Sequence, residues 1–269
     1  MTGPSPIGLI AGNGNFPLLI ARAAQAEGKK IVAVAHRGET RPELEPLVEK
    51  ITWIHLGEFG KLVRVFKQEG VTEAILAGGI DKKKMFSKVH PDLKGIKLLA
   101  KLAHRRDDFI LRSVASELEK EGVRIRPSTS FIPSLLAPPG ILSRRQPSVE
   151  EEKDIRFGWS LAKELGKLDI GQCLVVRNGA VLAVEAIEGT DETIRRGGRL
   201  GREKTVVIKV SKPDQDLRFD LPAVGEQTIQ TMHEVKAVVL VIEAQKTILF
   251  DQEATVSLAD RYRIAIVSK

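Results

Sequence analysis

Short apolar runs alternate along the first half of the chain with longer stretches in which apolar residues recur every three or four positions. The runs fall at 7–11, 31–35, 51–55 and 74–77, each four or five residues long and bounded by polar or glycine-bearing turns. Runs of that length predict strands covered on both faces. Between them, 16–27 and 61–68 carry the helical spacing, and 93–121 is amphipathic, with Ile96, Leu99, Leu102, Ile110, Val114 and Leu118 available to one side. Strands alternating with helices predict right-handed crossovers and a parallel, doubly wound α/β sheet.

The pattern breaks between Arg126 and Pro147, where Pro127, Pro133, Pro138, Pro139 and Pro147 crowd together. Proline lacks the backbone donor and disfavours helix before it, so this stretch reads as extended, with a domain boundary near residue 133. Two domains are expected, 1–133 and 134–269, the second also α/β. It opens on Ser148-Val149-Glu150-Glu151, a capping box. Strands follow at 173–177 and 181–187, joined by Asn178-Gly179, a two-residue hairpin signal, and then at 206–210, 238–243 and 247–250.

Composition changes this picture little. A length of 269 residues suits two domains, and 42% hydrophobic against 29% charged residues is ordinary for globular proteins. No apolar run reaches the roughly 20 residues that span a bilayer. The N-terminal residues show no basic stretch ahead of an apolar one, so no secretory signal is expected. A single cysteine, Cys173, fits a reducing compartment, and a cytoplasmic location is the expectation. At the start of an apolar strand it reads as core rather than nucleophile.

Charge changes it more. The net +7 sits wholly in the first half, where residues 1–133 carry 22 Lys and Arg against 15 Asp and Glu, while residues 134–269 carry 20 of each. Nine basic residues lie between Lys82 and Arg106, with Asp92 the one acid among them. Such a run attracts phosphate, anionic lipid or nucleic acid, or is simply a solvated helix surface. One Tyr and two Trp argue against a platform for stacking bases, so no nucleic-acid partner is expected.

The first candidate site is Gly12-Asn13-Gly14-Asn15-Phe16-Pro17, between the first strand and the first helix. Glycines let a backbone approach a diphosphate, and a helix N-terminus offers free N–H groups. The dinucleotide fingerprint is broken, because Pro17 takes the third glycine's place and His36-Arg37, not an acid, closes the second strand. A phosphate- or sugar-binding loop fits, and so does a plain tight turn. Gly78-Gly79 closes another strand on the same predicted edge. In the second half, Arg144 and Arg145 form a phosphate clamp or a solvated pair. Glu185, Glu188, Asp191 and Glu192 gather near Thr190 at a helix start, where Thr190 or Asp191 would also serve as an N-cap. If 216–220 is extended, Asp216, Arg218 and Asp220 share one face, suited to a hard divalent cation and a phosphate oxygen, or to a surface ion-pair ladder.

Four strings resemble the LpxI-type UDP-2,3-diacylglucosamine pyrophosphatases: 7–17, 168–172, 183–193 (AVEAIEGTDET) and 212–222 (KPDQDLRFDLP). They lie in the family's order over nearly the whole chain; Asp81-Lys82-Lys83-Lys84 departs from the family pattern. The resemblance implies a Rossmann-like first domain and a separate α/β second domain. It implies a metal-dependent hydrolase of lipid A biosynthesis, releasing UMP and 2,3-diacylglucosamine 1-phosphate (lipid X), with Mg²⁺ or Mn²⁺ as cofactor. On that reading Asp220 is the essential carboxylate, and Asp216 with Glu188 or Asp191 completes the metal set. Arg218, Lys209 and Lys212 offset transition-state charge. Gly12, Asn13, Gly14, Asn15, Gly78, Gly79, Arg144, Arg145 and Thr190 bind substrate. Peripheral contact with the inner membrane and a homodimer are compatible with it. The competing expectations are a non-catalytic nucleotide- or acidic-lipid-binding protein and a sugar-nucleotide oxidoreductase, the latter opposed by the broken fingerprint.

Overall fold

The computed structural model describes residues 5–80, 90–96 and 107–269. Of the cations between Lys82 and Arg106, Lys94 alone falls among them, and Asp81–Lys84 lies outside. The chain divides into two compact units: residues 1–133 with Asp216–Asp220, and residues 134–215 with Leu221–Lys269.

The first unit is built on β1 (Ile7–Ala11), β2 (Ile31–His36), β3 (Lys50–Ile54), β4 (Glu73–Ala77) and β5 (Arg124–Ile125), crossed by helices α1 (Phe16–Ala26), α2 (Phe59–Gln68) and α3 (Asp107–Lys120). All strand pairs are parallel, in the order β3-β2-β1-β4-β5. Successive side chains alternate between faces, so each strand feeds two cores. Ile10, Val32, Val34, Ala74 and Leu76 pack with Leu62, Phe66 and Leu118 on one side. Leu9, Ile31, Ala33 and Ile75 pack with Ile20, Ala21 and Ala24 on the other. This is the Rossmann-like, doubly wound sheet. Ala11 pairs with both Ala35 and Ala77, so Gly12, His36 and Gly78 leave the carboxyl edge at one level. The order reverses between β1 and β4, where open α/β sheets leave a ligand crevice.

The second unit contains β6 (Gly140–Ile141), α4 (Val149–Lys167), β7 (Cys173–Arg177), β8 (Ala180–Val184), α5 (Thr190–Gly201), β9 (Val206–Lys209), β10 (Ala223–Val224), α6 (Glu226–Glu234), β11 (Val239–Ile242), β12 (Ile248–Leu249), α7 (Gln252–Arg261) and β13 (Ala265–Ser268). Its main sheet is mixed, in the order β6-β13-β11-β9-β7-β8, with β9, β11 and β13 mutually parallel and β7, β8 and β6 antiparallel to their neighbours. One face packs Val175, Val207, Leu240 and Ile266 under Ile194, Ile229 and Met232. The other packs Leu174, Val176, Ile208 and Val241 under Ile155 and Ala162 of α4. The capping box is formed on both sides: Ser148 Oγ accepts from Glu151 N, and Ser148 N donates to Glu151 Oε2 at 2.8 Å. Asn178 (φ 50°) and Gly179 (φ 70°) supply the two left-handed residues of a tight hairpin turn.

Candidate active site

In the first unit the glycine-bearing loops close on one another. Gly12 N donates to Ala77 O at 2.8 Å, and Asn13 N to Gly79 O at 2.7 Å. A Cβ at Gly12 would strike Gly79 O, and one at Gly78 would strike Asn13 O. The glycines at these positions are therefore required by loop–loop approach, whatever else the loops bind. Gly14 has open space around its Cα, and Asn15 precedes α1 without capping it; its side chain accepts instead from Arg41.

An acid does approach this loop from slightly downstream of β2. A turn after His36 brings back Glu39, which is buried and accepts from Asn13 Nδ2 at 3.1 Å. Thr40 Oγ1 donates to Ala11 O at 2.5 Å, and His36 Nδ1–H donates to the same carbonyl at 3.0 Å. Burial pushes the His36 pKa down, outweighing that hydrogen bond and the Glu39 charge. The sequence signal was an acid three residues late, and only the turn makes it adjacent to the loop.

Asp216–Asp220 is not extended. Phe219 N and Asp220 N both donate to Asp216 O, closing a turn. Arg218 folds onto Asp216, with Nε 3.0 Å from Oδ1 and Nη2 2.8 Å from Oδ2, and its Nη1 reaches Glu119 at 2.6 Å. Two residues apart, the ions meet more easily around a turn than along a strand, where same-face neighbours stand about 7 Å apart. The Arg218 guanidinium holds the Asp216 carboxyl below its ordinary range, and Asp216 holds Arg218 up. Among the described residues nothing hydrogen-bonds or ion-pairs with the Asp220 carboxylate.

In the second unit the candidates collect where β7 begins and β9 ends. Cys173 pairs with Lys209. Burial pushes the Cys173 thiol far up, with the nearby charges of Glu185 and Asp191 adding to the effect and Lys209 opposing it. The thiol is a core group and not a thiolate. Lys209 is buried, its Nζ 2.8 Å from Ala223 O. Lys212 Nζ lies 2.7 Å from Asp169 Oδ1. Glu185 is buried, accepting from Thr190 Oγ1 at 2.9 Å and from Gln172 N at 3.3 Å. The N-cap of α5 is Gly189, so Thr190 and Asp191 lie within the first turn, where the helix dipole favours the acid. Glu188 accepts from Arg196 Nη2 at 2.5 Å; hydrogen bonds from its own backbone and from Arg196 hold its carboxyl down.

Arg144 and Arg145 diverge. Arg145 donates to Glu151 at 2.6 Å and to Val238 O at 3.2 Å, joining the capping box to the sheet. Arg144 stays exposed beside Asp260, at the rim of an open hollow lined by Glu253, Ser257 and Arg261. A further cluster, unmarked in the sequence reading, lies at the end of β11. Buried Glu243 accepts from Lys163 at 2.5 Å, Lys246 at 2.8 Å, and Ser211 Oγ at 2.7 Å.

Among the described residues no three His, Cys, Asp or Glu side chains come together as a metal-holding group. Of the expected ligands, Asp216 and Asp220 belong to the first unit, Glu188 and Asp191 to the second, and two of the four carboxylates are already occupied by arginines. Among the described residues neither unit brings three of these groups together. No helix among the described residues is long and apolar enough to cross a membrane.

Residues 6–135 match the family model for the LpxI N-terminal domain, and residues 138–267 match that for the LpxI C-terminal domain. A Caulobacter vibrioides protein named UDP-2,3-diacylglucosamine pyrophosphatase LpxI is 36% identical over 267 residues, covering 94% of each chain. The biotin carboxylase subunit of pyruvate carboxylase is a structural neighbour at TM-score 0.30 and 14% identity, over 68% of this chain and 36% of that one. N5-carboxyaminoimidazole ribonucleotide synthetase from Thermotoga maritima aligns at TM-score 0.27 and 13% identity, over 69% and 42%. This chain spans less than half of either neighbour, and likeness at that level carries no argument.

Proposed function

The chain belongs to the LpxI family, matched through both of its domains, and from that we propose that it hydrolyses the pyrophosphate bond of UDP-2,3-diacylglucosamine. The products are UMP and 2,3-diacylglucosamine 1-phosphate, and the reaction belongs to lipid A biosynthesis. The carrying observation is the 36% identity to a UDP-2,3-diacylglucosamine pyrophosphatase over 94% of both chains.

Asp220 is the proposed base that orients the attacking water, supported by a carboxylate that no described neighbour occupies. Asp216 positions Arg218 through the hydrogen bonds its carboxylate accepts, and Arg218, Lys209 and Lys212 are the cations that offset charge on the diphosphate. The loop Gly12–Asn15 with Gly78 and Gly79 binds one end of the substrate; Thr190 acts through Glu185, and Arg144 is the more accessible of the two linker arginines. Dependence on Mg²⁺ or Mn²⁺ is proposed from the family resemblance; the acids expected to hold the ion, Asp216 and Asp220 in the first unit and Glu188 and Asp191 in the second, form no metal-holding group among the described residues of either. Peripheral contact with an anionic membrane through the cationic, amphipathic stretch 93–118, and a homodimer, are proposed with it.

Mass-spectrometric detection of UMP and lipid X tests it, using wild type and Asp220→Ala, with Mg²⁺ and with chelator. Products from wild type and none from folded Asp220→Ala are expected. Undiminished product under chelation would remove the metal, full activity in Asp220→Ala would remove its assigned role, and binding without any product would leave a binding protein.

A further inference from the structure

The ion pair of Lys163 and Glu243 grips every polar group of a single residue, Ser211. Glu243 Oε2 accepts from Ser211 N at 3.0 Å and from Ser211 Oγ at 2.7 Å. Lys163 Nζ donates to Ser211 O at 3.3 Å and to Glu243 Oε2 at 2.5 Å. Lys209, the last residue of β9, pairs in register with Ile242, so Glu243 stands where β9 and β11 leave the sheet together. Ser211 is buried, as are Lys209 and Val210 before it.

A largely buried ion pair is a poor device for stability alone. Desolvating two charges consumes much of what their attraction returns, and apolar residues of similar volume often serve as well or better. What this pair provides, and apolar packing does not, is direction, because a backbone N–H, a hydroxyl and a carbonyl are held at set distances. The residue so held leads directly into Lys212. On the far side, Lys212 N donates to Gln215 Oε1 at 3.0 Å, and Lys212 O accepts from Gln215 N at 3.1 Å. The backbone of Lys212 is thus fixed from both directions, while its side chain stays partly exposed, with Nζ 2.7 Å from Asp169 Oδ1. We infer that Glu243 and Lys163 are positioning residues, which act through Ser211 to set where Lys212 offsets charge on the diphosphate. This rests on the hydrolase reading above and on the part given to Lys212 there.

A clamp that merely closes the sheet would lower stability and leave the chemistry of the folded enzyme alone, whereas one that aims Lys212 changes kcat through that lysine. Ser211→Ala removes the hydroxyl bond and keeps the backbone bonds, and Glu243→Gln replaces an acceptor oxygen with a donor. Both are assayed on UDP-2,3-diacylglucosamine, with circular dichroism establishing folded protein at the assay temperature. Ser211→Ala is expected to lower kcat about ten-fold, short of the roughly hundred-fold that a displacement of about 1 Å can cost, with a smaller change in KM. Glu243→Gln should lower kcat further. In a Lys212→Ala background, already slowed, Ser211→Ala should cost less than about two-fold, since a group that acts through Lys212 then has nothing left to aim. Losses that multiply across the two backgrounds overturn the inference, as does wild-type kcat in folded Ser211→Ala and Glu243→Gln, or full activity in Lys212→Ala. Wild type that releases no UMP from UDP-2,3-diacylglucosamine would instead overturn the hydrolase reading.

Discussion

A carboxylate as buried as Glu243 persists as an anion only when donors match it. Burial alone would push its pKa up, but the bonds from Lys163, Lys246 and Ser211 outweigh that and leave it at about 2. Its folded pKa thus lies below the roughly 4.3 of an unfolded Glu. The stabilisation is complete above that unfolded value and is lost as pH falls towards 2. Glu243→Gln is expected to cost about 2 kcal/mol at pH 7, because both lysines are partly exposed and the pair is screened. Urea titrations between pH 5 and about 2 should show a shallower stability slope in the variant than in wild type. Cys173 gives a second expectation. A buried thiol held far from thiolate should resist iodoacetamide in the native protein and react after unfolding, as read by intact mass.

Residue types near the site were legible in the sequence, but their pairings were not. Asp216, Arg218 and Asp220 alternate as a strand face does, and a turn defeats that reading by bringing residues two apart into contact. Glu39 and Glu185 became site neighbours only through a turn and a strand pairing. No spacing rule along the chain reports such contacts.

At the scale of elements, helix α5 sits close on the sheet because glycines line its buried side. A Cβ at Gly197 would lie 2.5 Å from Val175 Cβ, and those at Gly198 and Gly201 would meet Val235 and Thr205. Alanine gains roughly 1 kcal/mol of helix propensity over glycine, but overpacking a tight contact costs about 1–3 kcal/mol. Val175 is core and cannot yield, so Gly197→Ala should destabilise the protein by about 1–2 kcal/mol in chemical denaturation. Ser148→Ala should cost about 1 kcal/mol, since it strips the cap from α4 while Glu151 keeps Arg145.

The strands buried on both faces, β1, β2, β4, β7 and β9, were legible as unbroken apolar runs, and the capping box and hairpin turn as local chemistry. The two-residue strands β5, β6 and β10 were not. Each is held by its neighbour's register, and two residues carry no periodicity. Helix α6 (EQTIQTMHE) buries Thr228 and Thr231 beside Ile229 and Met232, so its inward face carries too sparse an apolar stripe to read. At the chain's end, β13 is a four-residue apolar run, which periodicity alone does not distinguish from a helix fragment.

At the scale of the whole molecule, the first unit is not a contiguous piece of sequence. Ser128 N donates to Arg218 O at 2.6 Å, Arg218 pairs with Glu119, and Phe219 packs with Val65, Leu111 and Val114 against the core of that unit. A fully buried Phe→Ala change costs about 3–5 kcal/mol. Phe219 is half-buried, so Phe219→Ala should cost about 2 kcal/mol, measured by urea unfolding of the full chain. Residues 1–133 expressed alone lack the whole segment and should melt below the corresponding transition of the intact protein.

That arrangement also sets an order in time. A ribosome that has just finished residue 133 must add residues 134–215 before the missing strip of the first unit exists. At about 5–20 residues per second that takes roughly 4–16 s. Through that interval the nascent first unit waits with the seat of Phe219 uncovered, and chaperones or proteases have their best access to it. Nascent chains stalled before Asp216 should be nicked readily within the first unit, and chains stalled well beyond Asp220 should not.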